Sequence, residues 1–333
     1  MTGRRRTAAA LALAATLVTA CGGTDANRDA VRPDGSVDLS AVTLRIGDQK
    51  GTGTRALLEA AGELTDIPYR IEWSQYTSGP PMVEAVHAGA VDIGGVGNAP
   101  PVFAAAAGAG IGIVSAYLTG TGGQAIVVPR DSPLREPNDL RGKRIAVARG
   151  SSAHHHLLSV LNSAGLGFAD IEPRYLQPAD ALAALSTGRV DAWATWDPYT
   201  AQAQEQAAAR ILVDGSGYVR GDSFYVAGRR ALDNPATAAA LRDVLARIGR
   251  AHSWANGDTE AWATIFAQVT GLPVTVTRLA VARAPYRDHP IDDATVAAEQ
   301  QVADAFAAAG LIPRRVTIAD FVDTRFNDLF APA

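Results

Sequence analysis

Two halves of the chain repeat one pattern of small, apolar and acidic residues at a constant offset of 99 positions. The sequence G-x-V-D, followed six residues later by Asn or Asp, occurs at 89–98 and again at 188–197. The matched pairs are Ile46 and Ile145, Gly51 and Gly150, Gly89 and Gly188, Val91 and Val190, Asp92 and Asp191, and Asn98 and Asp197. Units of a solenoid are only about 20–50 residues long. The repeat therefore predicts two similar lobes instead of a repeat array.

Each lobe is expected to be α/β, because short apolar strands alternate with helices in both halves. At 144–165 an alternating apolar strand ends at Gly150. Ser151 or Ser152 can cap the helix that follows, and Gly165 stands where a helix ends. The first turn of a helix offers unpaired N–H groups and the positive end of its dipole, which suit an oxyanion. Most such junctions in α/β proteins bind nothing, so this one alone does not establish a site.

Four strand-to-helix junctions are predicted, two in each lobe. They lie at Gly51–Thr54, Gly97–Pro101, Gly150–His154 and Trp196–Tyr199. Ligands of open parallel sheets bind beyond the carboxyl ends of the strands, so facing lobes would direct four helix N-termini into one cleft. A few hydrogen bonds of about 1.5–3 kcal/mol each to a charged acceptor can reach the roughly 8 kcal/mol of micromolar affinity. An anion site of this kind needs no metal or cofactor.

The chain divides into five parts on this interpretation. They are a signal peptide at 1–20, a flexible tether at 21–41, the first segment of lobe 1 at 42–128, lobe 2 at 129–221, and a mostly helical return to lobe 1 at 222–333. The chain would cross between the lobes near 128–130 and near 222–228. Two crossings predict a hinge, with a cleft between the lobes.

The N-terminus has the features of an export signal. Arg4–Arg6 precede the apolar run Thr7–Thr19, which is shorter than the roughly 20 residues of a membrane-spanning helix. The run leads into V-T-A-C, which resembles a bacterial lipoprotein signal in which Cys21 is acylated. A plain signal peptide with an incidental cysteine is the alternative. Cys21 is the single cysteine, which excludes an intrachain disulfide and a thiolate metal site.

Charge and motifs argue against other function classes. The net charge is −4 at pH 7, and it falls to −7 without Arg4–Arg6, so nothing favours nucleic acid or a basic membrane-binding face. The segment Gly150–His154 is not G-x-S-x-G, because His154 replaces the second glycine. On a helix, His154–His156 would spread over about 200° and would not share a face as metal ligands do. The sequence also has no P-loop and no HExxH.

Trp196 and Asp197 admit two interpretations each. Trp196 can cover the apolar part of a bound anion, or it can fill the core. Asp197 is better suited to cap the next helix than to contact an anion, because two negative charges repel.

Five segments, in order along the chain, carry a resemblance to a known family. They are RIGDQKG at Arg45–Gly51, SGPPMVEA at Ser78–Ala85, VDIGGVGNAPPVFAAAAGA at Val91–Ala109, GKRIAVARGSSAHHHL at Gly142–Leu157 and VDAWATWDPY at Val190–Tyr199. Together they resemble the aliphatic-sulfonate-binding proteins of ABC importers, which belong with the taurine and nitrate binders. The resemblance implies the type II periplasmic-binding-protein fold, an α/β fold with two lobes, a hinge and an interlobe cleft.

The resemblance also implies a set of ligand-binding residues. Carried onto this chain, they are Gln49, Asn98, Ser151, Ser152, His154, Trp196 and Asp197. Two positions depart from the family pattern. Asn98 stands where the family usually has Asp, and Ala153-His154-His155 stands where it usually has Ser-His-Asn.

The function implied is that of a binding protein and not of an enzyme. An extracytoplasmic lipoprotein, anchored through Cys21, would bind an alkanesulfonate-like anion and deliver it to an ABC permease and its ATPase. It is expected to be a monomer without a cofactor. The alternatives are a binder of taurine, nitrate or another anion, a sensor with no transport role, and an enzyme of the thiamine-precursor type on the same fold.

Overall fold

Two β-sheets organise the chain in the computed structural model, which describes residues 27–49 and 53–330. The strands are β1 (Thr43–Gln49), β2 (Arg70–Tyr76), β3 (Ile93–Gly97), β4 (Ile111–Leu118), β5 (Ala125–Pro129), β6 (Arg144–Val147), β7 (Glu172–Tyr175), β8 (Ala192–Thr195), β9 (Ala209–Asp214), β10 (Asp222–Gly228) and β11 (Arg287–His289). The first sheet has the order β11-β4-β10-β3-β1-β2, and the second has the order β7-β6-β8-β5-β9.

Helices flank both sheets. They are α1 (Thr54–Ala60), α2 (Gly79–Ala88), α3 (Ala99–Ala106), α4 (Ser152–Ser163), α5 (Pro178–Ser186), α6 (Tyr199–Gln206), α7 (Arg229–Asp233), α8 (Pro235–Gly257), α9 (Thr259–Thr270), α10 (Val274–Arg283) and α11 (Asp293–Ala308). None of the helices in the described ranges is both long enough and apolar enough to cross a bilayer.

The two sheets share one plan. In the first, β1 pairs in parallel with β2 and β3, and β10 runs antiparallel to β3. In the second, β6 pairs in parallel with β7 and β8, and β5 runs antiparallel to β8. The duplicated lobes expected from the sequence repeat are therefore present, and each centres on a strand that lies between two parallel neighbours.

The repeated aspartate has the same structural role in both lobes. The backbone N–H of Arg45 donates to Asp92 Oδ2 at 2.8 Å, and its guanidinium pairs with Asp92 Oδ1 at 2.6 Å. The N–H of Arg144, 99 positions later, donates to Asp191 Oδ2 at 2.9 Å, and its guanidinium lies 2.7 Å from Asp191 Oδ1. Each pair ties the start of the central strand to the loop before its neighbour. The aspartate that recurs at the 99-residue offset therefore determines where β3 and β8 begin.

The first crossing between the lobes lies earlier than predicted. Strand β5 pairs with β8 and β9, so it belongs to lobe 2, and the crossing is at residues 119–124 instead of near 128–130. A short apolar strand fits either lobe equally well by its sequence, which explains the error. The second crossing lies at residues 215–221, just before the boundary predicted at 222. The Thr119 N–H donates to Gly221 O at 3.0 Å, so the two crossings run side by side as a hinge.

The segment expected to be a flexible tether at 21–41 is folded from residue 27 onward. Asn27 Nδ2 donates to Thr43 O at 3.0 Å and to Thr237 Oγ1 at 2.9 Å. Ala30 is only 1% exposed and belongs to the core of lobe 1. The prediction was wrong there because a few buried contacts outweigh a polar composition. The predicted signal peptide at 1–20 and Cys21 lie outside the described residues.

Helix α8, in the C-terminal part of the chain, packs on lobe 1. Asn234 Oδ1 accepts hydrogen bonds from the N–H groups of Ala236 and Thr237, at 2.9 and 3.1 Å, and so caps α8. The apolar face of α8 packs on the core around β1. Its buried residues in that cluster include Leu241, Val244, Leu245 and Ile248, which join Leu44 and Ile46.

Candidate ligand-binding site

A cavity of about 140 Å³ lies between the lobes, at the beginnings of four helices. Residues from all four predicted junctions line it. They are Gln49 and Thr54 beside α1, Gly97 and Pro100 at α3, Ser151 and Ser152 at α4, and Trp196, Asp197 and Pro198 before α6. Gly51 of the first junction lies outside the described residues. The facing helix N-termini inferred from the repeat are therefore brought to one cavity.

The two serines at α4 have different surroundings. Ser151 is 3% exposed; its hydroxyl donates to Ala148 O at 2.7 Å and accepts from the His154 N–H at 3.3 Å. This is an N-cap, and it uses the only hydrogen of that hydroxyl. Ser152 is half-buried, lines the same cavity and lies against Gly97 of the other lobe. Ser152 is consequently the serine whose hydroxyl is available to a bound ligand.

Asp197 lines the cavity but is held by other groups. Its Oδ1 accepts from the Ala201 N–H at 3.0 Å, which caps α6 as predicted. Its Oδ2 lies 3.6 Å from Arg283 Nη1, which belongs to lobe 1. Burial raises the pKa of the Asp197 carboxyl to about 6, and the Arg283 charge opposes that rise. Asp197 therefore acts as a helix cap and as one half of a contact between the lobes.

Trp196 and Gln49 are the other two predicted ligand-binding residues that line the cavity. The Trp196 indole is partly exposed and meets Tyr199 edge-on, with ring centroids 5.6 Å apart. Trp196 is thus not part of the closed core, unlike Trp193, which is 1% exposed. Gln49 is 6% exposed, and its Nε2 donates to Gly95 O at 2.7 Å.

Asn98 and His154, which the resemblance named as ligand contacts, do not line the cavity. His154 is fully buried and lies within 6 Å, by ring centroids, of Phe103, Phe168 and Phe306. Asn98 Nδ2 lies 2.9 Å from Nδ1 of His155 across the lobe boundary. The two departures from the family pattern, at 98 and at 155, therefore contact each other.

The aromatic side of the cavity was not predicted from the sequence. Its members are Tyr117, Tyr225, His252, Trp262, Phe266 and Tyr286. All six belong to lobe 1 and come from β4, β10, α8, α9 and the segment before β11. Buried aromatic residues are usual in a core, and only the fold shows that these six meet at one cavity.

The charge of the cavity is also distinctive. Among the described residues that line it, none is lysine or arginine, so neutral donors and helix N-termini face a ligand there. The described residues also contain no group of three or more His, Cys, Asp or Glu placed to hold a metal ion.

Known proteins are similar to this chain over most of its length. The family described as NMT1/THI5 like matches residues 71–253. A protein of Escherichia coli (strain K12) that is named as aliphatic sulfonates-binding is 37% identical over 293 residues. That match covers 85% of this chain and 89% of the relative.

Two solved structures share the fold. The alkanesulfonate-binding protein SsuA from Xanthomonas axonopodis pv. citri, bound to MOPS, has a TM-score of 0.79 at 36% identity, over 84% of this chain and 98% of that one. The periplasmic aliphatic sulphonate binding protein SsuA from Escherichia coli has a TM-score of 0.75 at 36% identity, over 84% of this chain and 92% of that one. The two-lobed fold expected from the sequence is confirmed. The chain therefore belongs to the NMT1/THI5-like family, together with these sulfonate-binding proteins.

Proposed function

We propose that this protein binds a small organic sulfonate between its lobes and delivers it to an ABC importer. The observation that carries the proposal is the cavity itself, where four helix beginnings and the Ser152 hydroxyl converge. A sulfonate is a permanent monoanion with three acceptor oxygens, and such an acceptor suits convergent N–H and O–H donors. The sulfonate-binding relatives, matched over most of the chain, support the same ligand class.

The fold supplies the movement that delivery needs. Two adjacent crossings form the hinge, and contacts such as Asn98 to His155 and Asp197 to Arg283 join the lobes when they are closed. Closure of two domains around a ligand is a recognised switching mode, for which periplasmic binding proteins are a standard example. We infer that the permease and ATPase recognise the closed, loaded form, and that the protein leaves its ligand chemically unchanged.

Titration calorimetry against a panel tests the ligand class. Ethanesulfonate and propanesulfonate are expected to bind with micromolar or tighter affinity, and sulfate, nitrate and phosphate to bind at least tenfold more weakly. Ser152→Ala is expected to weaken propanesulfonate binding about tenfold or more, because a hydrogen bond to a charged group is worth about 1.5–3 kcal/mol. Tight binding of nitrate or phosphate with no sulfonate binding would contradict the proposal.

Ser151→Ala is the matched variant in that experiment. Because Ser151 is the N-cap of α4, its loss is expected to lower the free energy of unfolding by about 0.5–2 kcal/mol. Its effect on sulfonate affinity should be smaller than that of Ser152→Ala. The opposite order, with Ser151→Ala weakening binding more, would reassign the ligand donor.

We also propose that the mature protein is anchored outside the cytoplasm by a lipid on Cys21. The support is the sequence V-T-A-C after a short apolar run, and the name of a relative that is periplasmic. Cys21→Ser is expected to move the protein from the membrane fraction to the soluble fraction on cell fractionation. A variant that stays with the membranes would show that Cys21 is not the anchor.

A further inference from the structure

A hydrogen-bonded contact between the lobes lies outside the cavity. The Ser78 hydroxyl, in lobe 1, donates to Gln177 Oε1, in lobe 2, at 2.9 Å. The Thr77 hydroxyl donates to the same oxygen at 3.1 Å. Ser78 is fully buried, Gln177 is half-buried, and none of these three residues lines the cavity. We refer to the hydrogen bonds of Thr77 and Ser78 to Gln177 as the Gln177 contact.

The Gln177 contact joins equivalent positions of the two lobes. Gln177 follows Ser78 by 99 residues, which is the offset of the sequence repeat. Ser78 is the N-cap of α2, and Gln177 is the N-cap of α5. Strand β2 ends at Tyr76 and β7 ends at Tyr175, so each N-cap follows its strand by two residues. Each lobe therefore supplies one side of the contact from the junction after its edge strand.

The sequence of α2 releases the Ser78 hydroxyl from the usual role of an N-cap serine. Such a serine normally accepts a hydrogen bond from the N–H of the second or third helical residue. In α2 these residues are Pro80 and Pro81, which have no N–H. The Ser78 side chain accordingly makes no capping hydrogen bond. Its hydrogen bond runs to the other lobe instead, and opening of the lobes would exchange that bond for one to water.

The Gln177 contact also lies on the side of each lobe away from the hinge. The crossings connect β4 to β5 and β9 to β10. The order β10-β3-β1-β2 places β2 three strands from β10, and the order β5-β8-β6-β7 places β7 three strands from β5. At about 4.8 Å for each strand, this separation is about 14 Å. Rotation about a hinge moves atoms in proportion to their distance from it, so opening of the lobes breaks this contact.

We propose that the Gln177 contact is a latch that holds the lobes closed over the ligand, and that Gln177 thereby sets the affinity without touching the ligand. This inference rests on the proposed function, because a latch acts only in a protein that closes around its ligand. Gln177 is a positioning residue. Since the contact forms only when the lobes close, it slows release of the ligand and leaves its entry unchanged. It contributes equally to the affinity of every ligand that the cavity accepts.

Stopped-flow tryptophan fluorescence with propanesulfonate tests the latch on the purified protein. Gln177→Met keeps the length of the side chain but removes the acceptor. The variant is expected to raise the dissociation rate constant about tenfold, because two neutral hydrogen bonds are lost. The association rate constant should stay within about twofold of wild type. In calorimetry, ethanesulfonate and propanesulfonate should lose affinity by the same factor, because Gln177 contacts neither of them.

Further variants distinguish the contact from the effect of one side chain. Ser78→Ala removes one of the two donors and should raise the dissociation rate constant about threefold. The double variant Ser78→Ala with Gln177→Met should release ligand no faster than Gln177→Met alone, because both changes remove the same contact. Gln268→Met, on the exposed side of α9, is the matched control and should keep the wild-type rate constants.

The outcomes separate the latch from sulfonate binding. Tight binding of propanesulfonate with an unchanged dissociation rate constant in Gln177→Met would overturn the latch and leave the proposed function standing. Additive effects in the double variant, or a loss of affinity for only one of the two sulfonates, would also overturn it.

If no sulfonate binds to folded protein, the proposed function fails, and the latch is tested without ligand by double electron–electron resonance. Spin labels on Glu72→Cys and Glu172→Cys, at exposed positions of β2 and β7, report the separation of the lobes in a Cys21→Ser background. Gln177→Met should shift the distances between the labels to larger values. Identical distance distributions in the presence and absence of that substitution would overturn the latch.

Discussion

Gly97→Val is expected to weaken sulfonate binding at least a hundredfold while leaving the ligand-free protein folded and nearly as stable as wild type. Gly97 ends β3 in lobe 1. A Cβ atom built there would lie 2.8 Å from Cβ and 2.9 Å from Oγ of Ser152, on lobe 2. Real Cβ atoms do not approach so closely, and Ser152 Cβ is fixed by its backbone. The three nearest atoms all belong to Ser152, so the obstruction exists only when the lobes are closed.

The expected loss of affinity depends on the fraction of molecules that can adopt the closed conformation. When only a fraction of molecules can adopt the binding-competent state, the apparent dissociation constant rises by the inverse of that fraction. A hundredfold loss corresponds to about 2.7 kcal/mol of disfavoured closure. Valine suits a strand, so the fold of lobe 1 should tolerate it. Gly97→Ala, which adds only the Cβ, should show a smaller loss in the same direction.

Calorimetry with propanesulfonate and thermal unfolding without ligand measure the two parts of this prediction. Small-angle scattering adds a third measurement, because the variant should fail to become more compact at ligand concentrations that close the wild type. Gly257→Ala, at the exposed end of α8 and away from both crossings, is the matched control, since a Cβ there would meet no atom within 4 Å. Binding by Gly97→Val within threefold of wild type would show that the lobes need not approach so closely.

The sequence repeat was a strong guide to the fold because its residues perform local tasks. Asp92 and Asp191 tie the central strand of each lobe to its neighbour through the same arginine contacts. Glycines 89 and 188 end α2 and α5 in the left-handed conformation, with φ of 75° and 67°. These contacts lie within one lobe. Because both lobes make them, the residues involved recur in the sequence at the same offset. The junctions at the cavity were predicted for the same reason.

Contacts between distant segments left no such signal. The aromatic side of the cavity joins residues from Tyr117 to Tyr286, and none of their spacings differs from that of ordinary core residues. The assignment of β5 to lobe 2 depends on its pairing with β8 and β9, which a four-residue apolar run does not encode. Asn98 and His155 each stood out singly as a departure from the family pattern. Only the fold shows that they form one contact.

His155 provides the second prediction, because it is one of three successive histidines whose rings are held neutral; His154 and His156 are buried, and His155 is half-buried. His154 Nδ1 accepts from the Gly150 N–H at 3.1 Å, and His156 Nε2 lies 3.0 Å from Asp214 O. His155 Nδ1 faces Asn98 Nδ2 at 2.9 Å. Burial lowers the pKa of His154 to about 3, and the pKa values of His155 and His156 to about 4.

A lowered histidine pKa makes the free energy of unfolding decrease in acid. Above pH 6.5 the ring is neutral in both states, so it adds no pH dependence. Between pH 6.5 and about 4 the unfolded chain binds a proton that the folded protein does not. Each such histidine then removes about 1.4 kcal/mol per pH unit. Below the pKa of the folded state, the ring is protonated in both states, so the free energy of unfolding no longer changes with pH through this group.

Four buried carboxyls among the described residues act in the opposite direction and mask this effect in the wild type. Burial raises the pKa of Asp48 and of Asp197 to about 6, and it also raises the pKa values of Asp222 and Glu299. As the pH falls below 6, the folded protein binds protons at these groups before the unfolded chain does, and this stabilises it. In the wild type, the free energy of unfolding therefore depends on pH through contributions of opposite sign. Only the difference between a histidine variant and the wild type isolates the contribution of the histidine.

His155→Asn is expected to be neutral or mildly destabilising at pH 7.5 and, relative to wild type, to gain about 2–3 kcal/mol of unfolding free energy on going to pH 4.5. The asparagine amide oxygen can still accept from Asn98 Nδ2, so the contact between the lobes survives without a titrating ring. Urea denaturation at the two pH values measures the change. Ser163→Ala, on the same helix, removes a hydroxyl that donates to Val160 O and no titrating group, so its effect should be equal at both pH values. If His155→Asn also shifts stability equally at pH 7.5 and pH 4.5, then His155 is not held neutral by burial, and acid does not weaken the contact that joins α3 to α4.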